Sequence, residues 1–206
     1  MGLHKHWNLN MNLGFFASHG GSNMQAIIDA TKAGKLKARP ALLISNNRNS
    51  QATARAEQEG MPFQVMNSVT HADSDALDQA MLDALREHQI DLIILAGYMK
   101  KIGPKVLAAY EGRILNIHPA LLPKFGGQGM FGQHVHRAVL EAGETVTGVT
   151  IHLVNDHYDE GRILAQSEVP VLPGDSVESL AARVLVREHQ FFVETLAKIA
   201  EGELQL

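Results

Sequence analysis

The chain lacks cysteine entirely, although it is 206 residues long. This absence excludes disulfide bonds, thiolate metal ligands and a cysteine nucleophile. No stretch approaches the roughly 20 apolar residues of a membrane span, and the polar N-terminus has no signal-peptide core. The formal net charge of -4 offers no general attraction to nucleic acid or anionic lipid. We therefore predict a cytoplasmic protein without a nucleic-acid or membrane partner.

The composition is that of an ordinary globular protein, with 45% hydrophobic and 19% charged residues. In the first half, short β-rich runs alternate with segments of helical period. Continuous apolar runs such as residues 92–96 are typical of buried parallel strands. The second half has strand-like segments with fewer helices between them. We predict an α/β fold, with a doubly wound, Rossmann-like, mostly parallel open sheet flanked by helices and a mixed C-terminal subregion.

The domain organisation is simple, because no internal repeat or linker divides the chain. We expect residues 1–10 to be an N-terminal extension and residues 11–206 to form a single domain. Its N-terminal half covers about residues 11–110, and its C-terminal half covers about residues 111–206. Ligands of such open sheets bind beyond the carboxyl ends of the strands, which is where functional residues are expected.

The segment HGGSN lies where the first predicted strand turns into the first predicted helix. Its glycines let the backbone approach an anion, and the free N–H groups of a helix start point toward such a ligand. The segment matches neither the dinucleotide pattern G-x-G-x-x-G nor the P-loop. A single terminal phosphate fits better, held by Gly21, Ser22 and Asn23. The alternative is a tight turn in which Ser22 caps the helix.

Asn116 and His118 stand two residues apart at the end of a predicted strand, so their side chains share one side of it. An amide N–H can stabilise a developing oxyanion, and an imidazole can move a proton. The alternative is a purely structural His-Pro at a strand end. A carboxylate partner would orient the imidazole, and the acid-rich turn NDHYDEG offers candidates. These candidates, unless they are only a solvated turn, are Asp156, Asp159 and Glu160.

Two further features accompany this pair. The stretch from Gly126 to Gly132 contains four glycines and forms either a mobile lid or a flexible connection. Several histidines raise the question of a metal, but they lack a clear carboxylate pattern, so we predict no metal site. These histidines are His134, His136, His152 and His157.

The segments HGGSN, LAGYMKKI, ILNIHPALLPKF, YDEG and REHQFF occur together in this order. In this respect the chain resembles the phosphoribosylglycinamide formyltransferase family from about Met11 to its C-terminus. The resemblance implies transfer of a formyl group from 10-formyltetrahydrofolate to the amine of glycinamide ribonucleotide in purine biosynthesis. It further implies direct attack by the amine, no covalent enzyme intermediate, small-molecule partners only, no metal, and a monomer or homodimer.

The resemblance also implies roles for individual residues. The catalytic groups it implies are Asn116, His118 and Asp159, so it favours Asp159 among the three acidic candidates. The nucleotide ligands it implies are Gly21, Ser22, Asn23 and Glu188, the last of which would bind the ribose hydroxyls. The folate ligands it implies are Met99, Lys100, Ile102 and Asp159. Apart from the resemblance, a plain core position is the favoured interpretation of Met99 and Ile102.

The chain departs from the family pattern in the phosphate loop, where His19 and Gly20 precede Gly21, and in DEGRIL, residues 159–164, which begins at Asp159. The main alternative is a formyltetrahydrofolate deformylase, which uses a similar centre to pass the formyl group to water. That enzyme normally has an additional N-terminal domain, and methionyl-tRNA formyltransferase has an additional C-terminal one, so length favours the first family. A non-catalytic binding module would not need Asn116, His118 and Asp159 together.

Overall fold

A computed structural model of the protein describes residues 10–206, and residues 1–9 lie outside the described part. The strands are β1 Met11–Ala17, β2 Ala38–Ser45, β3 Phe63–Val65, β4 Leu92–Leu95, β5 Ile114–His118, β6 Val146–Leu153 and β7 Ile163–Pro170. The helices are α1 Ser22–Lys32, α2 Gln51–Gln58, α3 Ser74–Glu87, α4 Pro104–Ala109, α5 Gln133–Glu141 and α6 Val177–Ala200. The predicted extension over residues 1–10 lies outside the described residues, except for Asn10.

All seven strands form one sheet in the order β3-β2-β1-β4-β5-β6-β7. The first five strands pair in parallel, whereas β6 is antiparallel to β5 and β7 is antiparallel to β6. This arrangement confirms the predicted mostly parallel sheet with a mixed C-terminal part. Because β1, β4 and β5 are neighbours and run in the same direction, the loops that follow them meet at one edge.

The core consists of two hydrophobic clusters, which contain different strand residues and different helices. One includes residues of β1, β4 and β5 with α1, α2, α5 and α6, and the other includes residues of β2 and β4 with α3 and α4. The central parallel strands β1 and β4 are buried on both faces, as the continuous apolar runs indicated. Helix α6 contributes fully buried side chains such as Phe192 and Leu196, each stabilising the fold by about 1.5–3 kcal/mol.

Helix α4 was not anticipated from the sequence, because it is only six residues long. Its first position is Pro104, and its N-terminus is capped by the buried Asp78 of α3. The carboxylate of Asp78 accepts hydrogen bonds from the backbone N–H groups of Lys105, at 2.7 Å, and Val106, at 3.3 Å. A β-carbon at Gly103 would lie 2.3 Å from Cγ of Asp78, so this approach requires glycine. No helix within residues 10–206 combines the length and apolar character needed to cross a membrane.

Candidate active site

A cleft of about 840 Å³ opens at the carboxyl ends of β1, β4 and β5. Its walls are the loop after β1, the loop after β4, the end of β5, the glycine-rich segment before α5 and one side of α6. This position is the one expected for ligands of an open α/β sheet. The cleft thus contains most of the residues singled out in the sequence.

The structure brings Asn116, His118 and Asp159 together at one end of the cleft. Nδ1 of His118 lies 3.6 Å from Oδ2 of Asp159, although the two residues are far apart in the chain. His118 is almost fully buried, and the Asp159 side chain is 12% exposed. Asn116 is on the same strand as His118 and lines the same cleft. The arrangement combines a hydrogen-bond donor, an imidazole and a carboxylate around one volume.

The imidazole of His118 has a defined proton position. Its Nε2 donates a hydrogen bond of 2.7 Å to the carbonyl of Phe125, and because a carbonyl only accepts, Nδ1 carries the lone pair in the neutral ring. Burial lowers the pKa of His118, and the nearby Asp159 and the Phe125 carbonyl oppose this only in part. His118 is therefore neutral at pH 7 and can accept a proton at Nδ1, beside the carboxylate that would stabilise the resulting cation.

Asp159 is held in an uncommon backbone conformation, with φ of 58°. Its Oδ2 accepts a hydrogen bond of 3.0 Å from the N–H of Gly127, which belongs to the glycine-rich segment. Burial alone would raise the pKa of Asp159, but the contact with His152, the charge of His118 and the Gly127 N–H together hold it below its usual range. The carboxylate is therefore ionised throughout the physiological pH range.

His152 also belongs to this cluster, although its sequence context raised only the question of a metal ligand. It lies directly opposite Asn116 in the antiparallel β5–β6 pair. Its Nδ1 donates to the carbonyl of Leu153, so its Nε2 accepts a 3.1 Å hydrogen bond from Nδ2 of Asn116. Oδ1 of Asp159 lies 3.5 Å from the same nitrogen. His152 therefore orients the side-chain amide of Asn116. The second N–H of that amide remains available to a ligand in the cleft.

At the other end of the cleft, the loop after β1 leads into the N-terminus of α1. Gly21 occupies the N-cap position in a left-handed conformation with φ of 67°, and no side chain caps the helix. The alternative in which Ser22 is the N-cap is therefore wrong. A β-carbon at Gly21 would lie 2.8 Å from Cβ of Ala52, so both conformation and space require glycine here. The uncapped helix start favours an anion.

Ser22 and Asn23 follow Gly21 in the wall of the cleft. The hydroxyl of Ser22 is 2.9 Å from Nε2 of His189 on α6. This contact could not be predicted from the sequence. Oδ1 of Asn23 is buried and has no hydrogen-bond partner within the described residues. Burial and the nearby Arg55 lower the pKa of His189, so its ring is neutral. Ser22 and Asn23 thus place polar side chains in the wall of the cleft beside the uncapped helix start.

Glu188 lines the cleft from α6, with part of its surface open to that space. Burial raises the pKa of its carboxyl group to about 8. A carboxyl group whose charge is disfavoured in this way gains from a ligand that donates hydrogen bonds. Glu188 lines the same cleft as the uncapped helix start and Asn116, which is compatible with the predicted contact to ribose hydroxyls.

The three predicted folate residues lie in different surroundings. Met99 lines the cleft and is 43% exposed. Lys100 is exposed and Ile102 is buried in the core beside α4, and neither lines the cleft. In the acid-rich turn, Asp156 is exposed and pairs with His157 at 2.7 Å, and Glu160 is exposed as well. Of the three acidic candidates, the structure thus brings only Asp159 to His118.

The glycine-rich segment covers one side of the cleft, and residues from Gly127 onward line it. His136, on α5, is buried in the same wall, and its Nδ1 has no hydrogen-bond partner within residues 10–206. His134 is exposed and packs edge-on against Phe131. In the described part of the chain, no three His, Asp or Glu side chains are arranged to hold a metal ion.

The chain is similar to known proteins over most of its length. The formyl transferase family matches residues 11–196. The chloroplastic phosphoribosylglycinamide formyltransferase of Arabidopsis thaliana is 43% identical over 194 residues, which cover 94% of this chain and 66% of that protein. The phosphoribosylglycinamide formyltransferase of Haemophilus influenzae is 38% identical over 186 residues, covering 90% of this chain and 85% of that protein.

Among solved structures, the phosphoribosylglycinamide formyltransferase from Brucella melitensis matches with a TM-score of 0.85 and 43% identity, covering 93% of this chain and 96% of that one. The chain spans just under two thirds of the length of the plant relative and most of the bacterial ones. Sequence and structure agree over nearly the whole described part, and this chain belongs to the formyl transferase family.

Proposed function

We propose that the protein transfers the formyl group of 10-formyltetrahydrofolate to the amine of glycinamide ribonucleotide. The observation that carries this proposal is one cleft with two chemically different ends. At one end Asn116, His118 and Asp159 converge, and at the other an uncapped helix start follows Gly21. A substrate that carries both a reacting amine and a terminal phosphate fits this arrangement. The names of relatives at 38–43% identity support the same assignment.

In this proposal the phosphate of the nucleotide binds to the backbone N–H groups around Gly21 and to the side chains of Ser22 and Asn23. The ribose hydroxyls donate hydrogen bonds to Glu188, which lines the same cleft. The free N–H groups and the helix dipole favour the dianion without any lysine or arginine in the loop itself. These contacts orient the amine toward Asn116 and His118.

The folate would occupy the part of the cleft next to the loop after β4. Met99 contributes a side chain to this wall, and Tyr158 and Asp159 contribute from the opposite turn. Lys100 and Ile102 belong to the proposed folate loop through their backbone, since the Ile102 side chain packs in the core. The formyl donor is thus a co-substrate in this proposal.

The chemistry proceeds by addition and elimination. The amine nitrogen attacks the formyl carbon, and the carbonyl oxygen becomes an oxyanion that accepts a hydrogen bond from Nδ2 of Asn116. The attacking nitrogen loses a proton, which His118 accepts at Nδ1 beside the Asp159 carboxylate. The bond between the formyl carbon and the folate nitrogen then breaks, and that nitrogen takes up a proton. The products are formylglycinamide ribonucleotide and tetrahydrofolate.

Hydrolysis is the alternative, because water could replace the amine at the same centre. The uncapped start of α1 favours the transferase, since hydrolysis of a folate requires no phosphate site. Cytoplasmic location, a monomeric or homodimeric state and exclusively small-molecule partners are part of the same proposal.

A two-substrate assay tests the proposal directly. Tetrahydrofolate should form from 10-formyltetrahydrofolate only when glycinamide ribonucleotide is also present, and the formylated nucleotide should appear in equal amount. Glycinamide lacking the ribose phosphate serves as the control acceptor and should react far more slowly. Formate release in the absence of an amine would instead identify a hydrolase.

A further inference from the structure

Ser18 lies between the two substrate-binding loops, yet it has no assigned role. It directly follows β1 and precedes the segment HGGSN, and it is only 1% exposed. It is absent from the wall of the cleft and so does not contact a ligand there. A buried hydroxyl at such a junction must be satisfied by protein groups, and the identity of those groups indicates what it holds together.

The hydroxyl of Ser18 has two partners on different strand ends. It accepts a hydrogen bond of 2.8 Å from the backbone N–H of Met99, in the loop after β4. It donates a hydrogen bond of 2.6 Å to Oδ1 of Asn46, immediately after β2. Because a backbone N–H can only donate, the direction of both bonds is determined. The carbonyl of Asn46 in turn accepts from Nδ2 of Asn67, which extends the connection beyond β3.

The backbone of Ser18 reinforces this link. Its N–H donates a 3.1 Å hydrogen bond to the carbonyl of Gly97, in the loop after β4. Ser18 is thus joined to the proposed folate loop twice, through Gly97 and through Met99. On its other side it is covalently connected to the proposed phosphate loop, because Gly21 is only three residues further along the chain. A displacement of either loop must therefore act on the other.

We propose that Ser18 is a positioning residue that couples the two substrate sites, so that a nucleotide bound at Gly21 to Asn23 tightens folate binding at Met99. The coupling rests on the proposed function for the identity of the ligands. The coupling acts through the two hydrogen bonds of the Ser18 hydroxyl and the rigid end of β1. By thermodynamic reciprocity, the folate must strengthen nucleotide binding by the same factor.

Ser45 provides a matched control for the loss of a buried hydroxyl. It is fully buried at the end of β2, the neighbouring strand. Its hydroxyl contacts only the adjacent loop, through Asn47 and Ser50. Replacing either serine with alanine leaves buried polar groups without a partner and lowers general stability. Only Ser18→Ala removes a contact between the two substrate loops.

Amide hydrogen exchange tests the mechanical part without any ligand. In Ser18→Ala the amide of Met99 should exchange about 10-fold faster than in the wild type, because its acceptor is gone. Ser45→Ala should leave the exchange of Met99 unchanged. An unaltered Met99 rate in a folded Ser18→Ala protein would overturn the proposal. If Ser18→Ala does not fold, Asn46→Ala is the substitute, because it removes the acceptor that orients the same hydroxyl. The amide of Met99 should then also exchange faster than in the wild type.

Ligand binding tests the coupling itself. Tetrahydrofolate lacks the formyl group, so it forms an unreactive ternary complex with glycinamide ribonucleotide. In the wild type, saturating tetrahydrofolate should lower the dissociation constant of the nucleotide by about 5-fold or more. This factor should approach one in Ser18→Ala and remain at the wild-type value in Ser45→Ala.

Equal coupling in the two variants, or none in the wild type, would overturn the proposal. Failure of the wild type to bind either ligand would instead refute the proposed function, and the exchange rate of Met99 would still decide whether Ser18 joins the two loops.

Discussion

The parallel and antiparallel parts of the sheet contribute to the cleft in different ways. The parallel strands β1 and β4 end in loops whose contribution is mainly backbone, with Gly21 and Gly97 at positive φ. The antiparallel pair of β5 and β6 contributes side chains, because Asn116 and His152 lie directly opposite each other. Backbone groups suit a ligand of fixed shape and charge, whereas side chains can change protonation during a reaction.

This contrast has a kinetic consequence. Substitutions in the parallel part should mainly change the affinity for substrate, and substitutions in the antiparallel part should mainly change turnover. Four experiments examine this division, in order of decreasing expected effect.

Removal of the oxyanion donor should have the largest effect. Loss of one such donor costs about 2.7–4 kcal/mol of transition-state stabilisation, so Asn116→Ala should lower kcat about 100-fold to 1,000-fold. Steady-state assay with both substrates measures this, and KM for the nucleotide should change little. Asn49→Ala, at an exposed position after β2, is the control and should retain wild-type turnover. Near-normal kcat in Asn116→Ala would remove this amide from the mechanism.

His152→Ala should lower kcat by about 10-fold to 100-fold, because a lost hydrogen bond among buried polar groups costs about 1–3 kcal/mol. Burial and the nearby His152 both lower the pKa of His118, so in this variant that pKa rises. The acidic limb of the pH profile of kcat should then move to higher pH, since His118 must be neutral to accept the proton.

The exposed His134 gives the control for this experiment. His134→Ala should leave both kcat and the pH profile unchanged. A His152→Ala enzyme with reduced activity but an unshifted acidic limb would show that His152 supports folding rather than the charge state of His118.

Gly21→Ala tests the backbone side of the comparison. A non-glycine residue in the left-handed conformation costs about 1–2 kcal/mol, and the added β-carbon would also press on Ala52. We expect KM for the nucleotide to rise about 10-fold while kcat stays close to the wild type. Gly34→Ala has a similar φ of 71° with no atom within 4 Å of the added carbon. It should lower stability without altering KM, and an equal rise in KM would argue against a specific phosphate loop.

The smallest effect concerns pH. Burial raises the pKa of Glu188 to about 8, so this group is largely protonated at pH 7. The ribose hydroxyls favour the carboxylate, so nucleotide affinity should increase about 5-fold between pH 7 and pH 8, with release of a proton. Calorimetry in buffers of different ionisation enthalpy would measure both the affinity for the nucleotide and the number of protons released.

The same shift has a stability counterpart of determined sign. A carboxyl group with a raised pKa in the folded state binds protons more tightly there than in the unfolded chain, so stability falls as pH rises from 4.5 toward 8. Glu188→Gln should remove this loss together with the pH dependence of binding. Glu178→Gln, on the exposed first turn of α6, should change neither. Nucleotide binding that stays pH-dependent in Glu188→Gln would assign the titration to another group.

Much of the fold could be predicted from local sequence. The apolar runs of the parallel strands and the helical period of the segments between them depend on neighbours along the chain, and these elements lie where the pattern indicated. Helix α4 could not be predicted, because its start is stabilised by Asp78 from a different helix. The cap at Gly21 was missed because serine is the usual N-cap residue, and only the close approach of Ala52 explains why glycine occupies it.

The site could be predicted only where a family pattern connects distant segments. Asp159 was chosen over Asp156 through resemblance, whereas the structure gives the physical reason, since only Asp159 reaches His118. His152 was missed because its importance depends on the register between β5 and β6, which are joined by a long connection. His189 was missed for a similar reason, as its contact with Ser22 spans 167 residues.

The glycine-rich segment and Phe125, which directly precedes it, supply the acid–base pair with two of its hydrogen bonds. The carbonyl of Phe125 accepts from His118, and the N–H of Gly127 donates to Asp159. If this segment swung outward, the imidazole would lose its acceptor and the carboxylate would lose a donor at the same moment. The enzyme would then be inactive whenever the cleft is open, and a bound formyl donor would be protected from hydrolysis by water.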